Sequence, residues 1–207
     1  MELSEFLFDG PPNASLTLVL AHGAGGPMDS PFLNAVASGV AAEGFRVARF
    51  EFPYMRARRT GGKRGAPDRE PVLRQCWLEA IALLGGGARL AVGGKSMGGR
   101  IASMVADEAG VRGLVCLGYP FHPPGQPKKL RTKHLETLRT PALTVQGTRD
   151  PFGTRDEVAG YTLSAQIQIH WLEDGDHSWK PRASSGRTEA ENRAEGIVAV
   201  CRFLKGI

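Results

Sequence analysis

The stretch Ala91-Val92-Gly93-Gly94-Lys95-Ser96-Met97-Gly98-Gly99-Arg100 constrains this chain more than any other. A short apolar run, Leu90 to Val92, enters two glycines. A serine follows, then two more glycines, then Ile101-Ala102-Ser103-Met104-Val105-Ala106, which reads as the start of a helix. Gly94-x-Ser96-x-Gly98 fits the G-x-S-x-G elbow, in which a nucleophilic serine rides a sharp strand-to-helix turn. Such a turn presses its flanking residues against neighbouring backbone, and only a residue without Cβ fits there at low cost. The positive end of the following helix would then lie beneath the serine, where acyl transfer develops negative charge. The bare pentapeptide also describes an ordinary Gly/Ser helix start. Gly94-Lys95-Ser96 imitates the end of a phosphate-binding G-x-x-x-x-G-K-[ST] loop as well. That loop needs glycine at position 89, where the chain has Arg89, and its middle residues here are strand-like, so the phosphate-loop reading fails.

Around the elbow, apolar runs alternate with amphipathic ones. Strands are expected over residues 15–21, 45–52, 90–92, 113–118 and 141–147, with a short edge strand within 5–9. Residues 165–171 alternate polar and apolar side chains, the pattern of a half-buried strand near the sheet's edge. Helices are expected from Asp29-Ser30-Pro31 to about Glu43, over 71–84, over 188–203, and briefly within 156–163. On the last long helix Ala190, Ala194, Ile197, Cys201 and Leu204 are expected to form the buried stripe. Residues 56–69, rich in arginine, glycine and proline, read as a loop. Residues 119–139 read as a second basic connection with one helical turn near His134-Leu135. Strands alternating with helices imply a mostly parallel sheet covered on both faces, an α/β architecture. At 207 residues, with no repeat and no linker, residues 1–207 are expected to form a single domain. Ligands of such sheets bind outside the carboxyl ends of the strands.

Composition narrows the class. Net charge +5 would suit a nucleic-acid binder, but no nucleic-acid motif accompanies it, and none is expected as partner. The N-terminal Met1-Glu2-Leu3-Ser4-Glu5 is acidic, unlike a secretory leader. No apolar run reaches the roughly 18 residues that span a membrane. Cys76, Cys116 and Cys201 are scattered without metal-ligand spacing and read as buried thiols of a reducing compartment, the cytoplasm. Neither a metal nor a cofactor is expected. Oligomeric state is open.

The remaining parts of an acyl-transfer site can be sought at the strand ends. Asp150 follows the 141–147 strand in Gly147-Thr148-Arg149-Asp150-Pro151-Phe152, and His177 follows the 165–171 strand in Gly175-Asp176-His177-Ser178-Trp179. The chain order Ser96, Asp150, His177 is that of an α/β-hydrolase. An Asp before Pro is also an ordinary turn residue. Asp176 and Asp174 compete as the acid, although adjacent side chains such as those of Asp176 and His177 seldom face each other.

Over nearly its full length the chain resembles small bacterial hydrolases of the dienelactone-hydrolase-like type, within the α/β-hydrolase superfamily. The resemblance rests on Phe52-Pro53-Tyr54-Met55, the Gly93–Arg100 stretch, Gly118-Tyr119-Pro120-Phe121-His122 and Gln146-Gly147-Thr148-Arg149-Asp150-Pro151-Phe152-Gly153. It implies a serine hydrolase, with only residues 119–139 available as a minimal lid. Dienelactone hydrolase proper is implied to use cysteine at the elbow, so its substrate does not carry over to Ser96. The expected roles are Ser96 as nucleophile, His177 as proton carrier and Asp150 as its orienting acid. The backbone N–H groups of Met97 and Ala24 are expected to form the oxyanion hole. His22, Lys95 and Tyr119 are expected near the substrate, with His22 better suited to holding the 22–24 loop. The expected substrate is a small-molecule ester, lactone or thioester; the alternative is a non-catalytic scaffold of the same fold. The basic residues of both connections are either solvated surface or a field attracting anionic acyl substrates.

Overall fold

Each apolar run becomes a strand of one sheet in the computed structural model, which describes residues 1–61 and 65–207. Strands β1 (Leu7–Asp9), β2 (Thr17–Ala21), β3 (Arg46–Phe50), β4 (Leu90–Lys95), β5 (Gly113–Leu117), β6 (Ala142–Gly147) and β7 (Ile167–Leu172) lie in the order β1-β3-β2-β4-β5-β6-β7. All pairings are parallel except that of β1, which runs antiparallel to β3 at one edge. The helices are α1 (Pro31–Ala42), α2 (Pro53–Arg59), α3 (Glu70–Leu83), α4 (Met97–Val105), α5 (Arg155–Val158) and α6 (Glu189–Lys205).

The period of two along the strands divides the core between the faces. Leu18 and Leu20 pack with Leu33, Val36 and Val40 of α1 and with Val200 and Leu204 of α6. Val19, Ala21 and Val92 pack on the other face with Trp77 and Ile81 of α3 and Ile101 of α4. Each such buried aliphatic contributes about 1.5–3 kcal/mol, and a one-residue slip would exchange the two sets, so the register is tightly specified. Helix α1 begins where Ser30 Oγ accepts a hydrogen bond from Leu33 N at 3.4 Å, with Pro31 at the first helical position.

Two elements differ from the sequence reading. The 56–69 segment is not all loop: Arg56, Arg58 and Arg59 form the last turn of α2, which Pro53 initiates. Cations there complement the negative end of the helix dipole. Lys63 and Arg64 lie outside the described residues. On α6 the buried face is rotated from the expected stripe. Asn192, Gly196, Ala199, Val200, Cys201, Phe203 and Leu204 are buried, while Ala190 and Ala194 are exposed. The connection from β5 to β6 carries a single 3₁₀ turn, Lys133–Leu135, and no helical lid.

Chain order reverses between neighbouring strands β2 and β4. In open parallel sheets such a reversal opens a crevice at the carboxyl ends, since the two connections leave toward opposite sides. The loop after β2 and the turn after β4 both empty into it.

Candidate active site

The turn after β4 is built by steric exclusion. Ser96 has φ 52° and ψ −114°, a conformation that costs a non-glycine residue about 1–3 kcal/mol. Around it the backbones are too close for side chains. A Cβ on Gly94 would lie 2.1 Å from the Ala21 carbonyl oxygen, and one on Gly98 would lie 2.4 Å from the same atom. Ser96 N donates to Leu117 O at 3.1 Å, and Ser96 O accepts from Arg100 N at 3.0 Å, the first bond of α4. The serine is thereby pinned between strand and helix with its side chain left partly exposed.

Asp150 follows β6 and is fully buried. Its Oδ1 accepts from Phe152 N at 2.9 Å, and its Oδ2 lies 2.7 Å from Nδ1 of His177. A carboxylate at that nitrogen fixes the proton on Nδ1 and leaves Nε2 as the basic atom. Burial holds the imidazole below the usual histidine range; the Asp150 bond opposes this, and the Lys95 ammonium adds to it. At neutral pH the ring is therefore a free base. Phe152 packs against it, with ring centroids 4.2 Å apart and ring planes tilted by 33°. The competing acids are occupied elsewhere. Asp176 Oδ1 accepts from Ser178 N and Lys180 N at 2.7 and 3.0 Å, closing its own turn. Asp174 is held down to about 2 by its hydrogen bonds with Arg182.

Ser96 and His177 share a cavity of about 350 Å³, walled by Gly23, Ala24, Gly25, Phe32, Leu33 and Phe152. Among the described residues the N–H groups of Met97 and Ala24 have no protein acceptor; Ala24 lines the cavity, and Met97 follows Ser96 at the first position of α4. His22 does not reach this cavity. It is fully buried, with Nδ1 donating to Gly23 O at 2.7 Å and Nε2 accepting from Phe52 N at 3.1 Å. Those two bonds fix its tautomer and desolvation lowers its pKa, so it is a neutral brace for the 22–26 loop. Tyr54 braces the same loop, its hydroxyl donating to Ala24 O at 3.1 Å. Tyr119 is also removed from the cavity: it is buried, and its hydroxyl donates to Arg131 O at 3.0 Å. Of the three residues expected near substrate, only Lys95 lines the cavity.

A second serine–histidine contact exists. Ser103 Oγ lies 2.8 Å from His134 Nε2 and also donates to Arg100 O at 2.7 Å. Ser103 is buried on α4, and among the described residues no carboxylate hydrogen-bonds His134. It lacks the strained turn, the orienting acid and the cavity that Ser96 has. Among the described residues no cluster of His, Cys, Asp or Glu could hold a metal ion, and no helix is long and apolar enough to cross a membrane.

A family model described as an alpha/beta hydrolase domain matches residues 14–205. The chain belongs to the α/β-hydrolase family. A serine hydrolase homologue from Coxiella burnetii superposes with TM-score 0.67 at 20% identity, over 94% of this chain and 90% of that one. A serine hydrolase without a lid from Xanthomonas campestris gives 0.66 at 18%, over 96% and 88%. A dienelactone hydrolase from Anabaena variabilis gives 0.65 at 20%, over 92% and 88%. At these identities the likeness is one of fold. In this α/β-hydrolase the β5–β6 connection, the segment expected to hold any lid, carries only the 3₁₀ turn Lys133–Leu135.

The sequence held no signal for several residues around this α/β-hydrolase cavity. Phe32 and Leu33 enter it from the first turn of α1, and Phe152 from the turn after Asp150. Only Phe152, two residues beyond the candidate acid, stood where the chain order directs attention.

Proposed function

We propose that this protein is a serine hydrolase that cleaves a small-molecule ester, lactone or thioester through an acyl-enzyme. The observation that carries the reading is one juxtaposition. Ser96, on a strained turn, opens into the same cavity as a histidine whose Nδ1 lies 2.7 Å from a buried aspartate.

The chemistry follows from these groups. His177 Nε2 takes the Ser96 hydroxyl proton as Oγ attacks the carbonyl carbon. The resulting oxyanion accepts hydrogen bonds from the N–H groups of Met97 and Ala24, and Asp150 stabilises the imidazolium. Collapse expels the alcohol or thiol, which takes the proton from His177. Water, deprotonated by the same nitrogen, then releases the acid and regenerates Ser96. A free-base imidazole at neutral pH is the form this cycle requires. Phe32, Leu33 and Phe152 favour a compact apolar group beside the carbonyl. We read residues 1–207 as one domain, and the three buried free thiols suit a reducing, cytoplasmic setting.

The test is covalent. A fluorophosphonate probe should label the wild type and fail to label Ser96→Ala, while Ser103→Ala, as the control, labels normally. Ser96→Ala should also lower turnover of p-nitrophenyl acetate by about 10⁶, the loss seen when a triad member is removed from another hydrolase. Folded wild type that neither labels nor turns over activated esters would favour the scaffold instead.

A further inference from the structure

Lys95 closes β4 and immediately precedes Ser96, yet its ammonium does not simply point to solvent. It donates to the backbone carbonyl oxygen of His177 and lies over the Phe32 ring, 5.2 Å from its centroid. The space it occupies exists because residue 118 is glycine, with φ 72°. A Cβ there would stand 2.8 Å from Nζ, 3.1 Å from the His177 carbonyl oxygen and 3.3 Å from its Nδ1. Among the described residues no carboxylate forms an ion pair with Lys95. An unpaired ammonium on an apolar wall has one strong local acceptor, and that acceptor belongs to the candidate base.

Resting on the reading of Ser96, His177 and Asp150 as a triad, we propose that Lys95 is a positioning residue. Its ammonium ties the nucleophile strand to the His177 backbone and places a positive charge beside the imidazole.

The tie has a mechanical and an electrical part. Mechanically, it is the direct link from residue 95 to residue 177, spanning the gap between nucleophile and base, where errors of about 1 Å can cost about 100-fold in rate. Electrically, a nearby cation disfavours the imidazolium, whereas the Asp150 and Asp176 carboxylates favour it, so Lys95 offsets them. The coupling is mutual: desolvation lowers the Lys95 ammonium to about 8, with Asp150 and Asp176 opposing. Near the acid limb Lys95 is still charged, so the offset is present where His177 titrates. Removing the charge should therefore raise the pH at which His177 becomes a base.

The experiment is the pH profile of kcat and KM for p-nitrophenyl acetate in wild type, Lys95→Met, Lys95→Arg and Lys95→Gln, with Ser96→Ala as the blank. Lys95→Met should lower kcat about 10- to 100-fold with KM nearly unchanged, and move the acid limb up by about half to one pH unit. Lys95→Arg, which keeps charge and donors, should return the limb to its wild-type position and recover most of kcat. A merely structural lysine would depress activity equally at every pH. If the methionine variant does not fold, Lys95→Gln reads the same limb, because it keeps an N–H donor and loses the charge. A folded methionine or glutamine variant with an unshifted limb overturns the proposal while an inactive Ser96→Ala leaves the triad standing. Activity persisting in Ser96→Ala would remove both.

Discussion

Ser96 stands on a turn made by backbone, whereas His177 stands on a loop that side chains from other parts of the fold hold in place. The elbow needs Gly94 and Gly98 because the Ala21 carbonyl occupies the space where their Cβ atoms would be. The histidine loop shares one such exclusion, at Gly147, where a Cβ would stand 2.2 Å from the Gly175 carbonyl oxygen, but most of its anchors are side chains. Trp179, buried and at φ 69°, anchors it by donating from Nε1 to Val145 O at 3.3 Å and packing on Phe32. Asn192 of α6 donates to Trp179 O at 2.8 Å and to Glu173 O at 3.1 Å, while Gly196 makes room for the Trp179 ring. Arg149 donates to Asp174 O at 2.9 Å. One reacting group is thus positioned by what is missing around it, and the other mainly by what reaches across to it.

The largest effect that would sharpen this contrast falls on the orienting acid. Asp150→Asn should keep the fold and lower kcat by about 10⁴, because the amide can hold the imidazole in the wrong tautomer. Asp176→Asn, which loosens a local turn and removes only the weakest of the charges acting on the imidazole, should cost far less. A reversed order of the two rates would mean that the 2.7 Å contact between Asp150 and His177 does not set the base.

This difference also decided what was legible in the sequence. The elbow was readable because its steric demand is local: four glycines within seven residues of chain, directly after an apolar run. The same locality exposed the strands, whose alternation needs no knowledge of partners. The His177 loop was readable only as a histidine in the right order, since its anchors are distant in sequence. Helix α6 was misread for the same reason. Its buried face includes Asn192 and Gly196, which look like surface residues until Trp179 and two carbonyls are placed against them. The basic connection was misread because Arg56, Arg58 and Arg59 resemble loop residues, and the helix that holds them is only about two turns long.

A smaller effect separates the two regions by stability. Gly94→Ala forces a Cβ onto a backbone carbonyl that cannot withdraw without disturbing β2, and should cost about 3 kcal/mol or more. Asn192→Ala leaves two carbonyls without a donor and should cost about 1–3 kcal/mol. At about 2–4 °C per kcal/mol for a chain of this size, thermal melting distinguishes them. Asn192→Ala should also slow turnover several-fold while retaining probe labelling at Ser96. Equal melting temperatures for the two variants would erase the distinction between a backbone-built and a side-chain-built site.

The smallest expected effect concerns the arginines of α2, which the sequence left open as either solvated surface or a field for anionic substrates. Most of their charge is already answered. Arg59 pairs with Glu51 through Nε at 2.7 Å and with Asp29 at 2.6 Å, and the Glu51 carboxylate is nearly inaccessible. Arg56 pairs with Glu5, and Arg58 lies over the Tyr54 ring with its guanidinium 5.0 Å from the centroid. Exposed charges in such pairs add little at a distance, and salt screens what remains. A field strong enough to steer substrates would raise association about tenfold or more at low salt. An ester bearing a carboxylate should therefore differ from its neutral isostere by no more than about threefold in kcat/KM at low salt, and Arg58→Gln should leave that ratio within about twofold. Arg59→Gln should act differently, by stranding the buried Glu51 carboxylate, so its effect should appear in melting temperature rather than in substrate preference. A preference of tenfold or more for the charged ester, collapsing as salt rises, would restore electrostatic attraction as a property of this face.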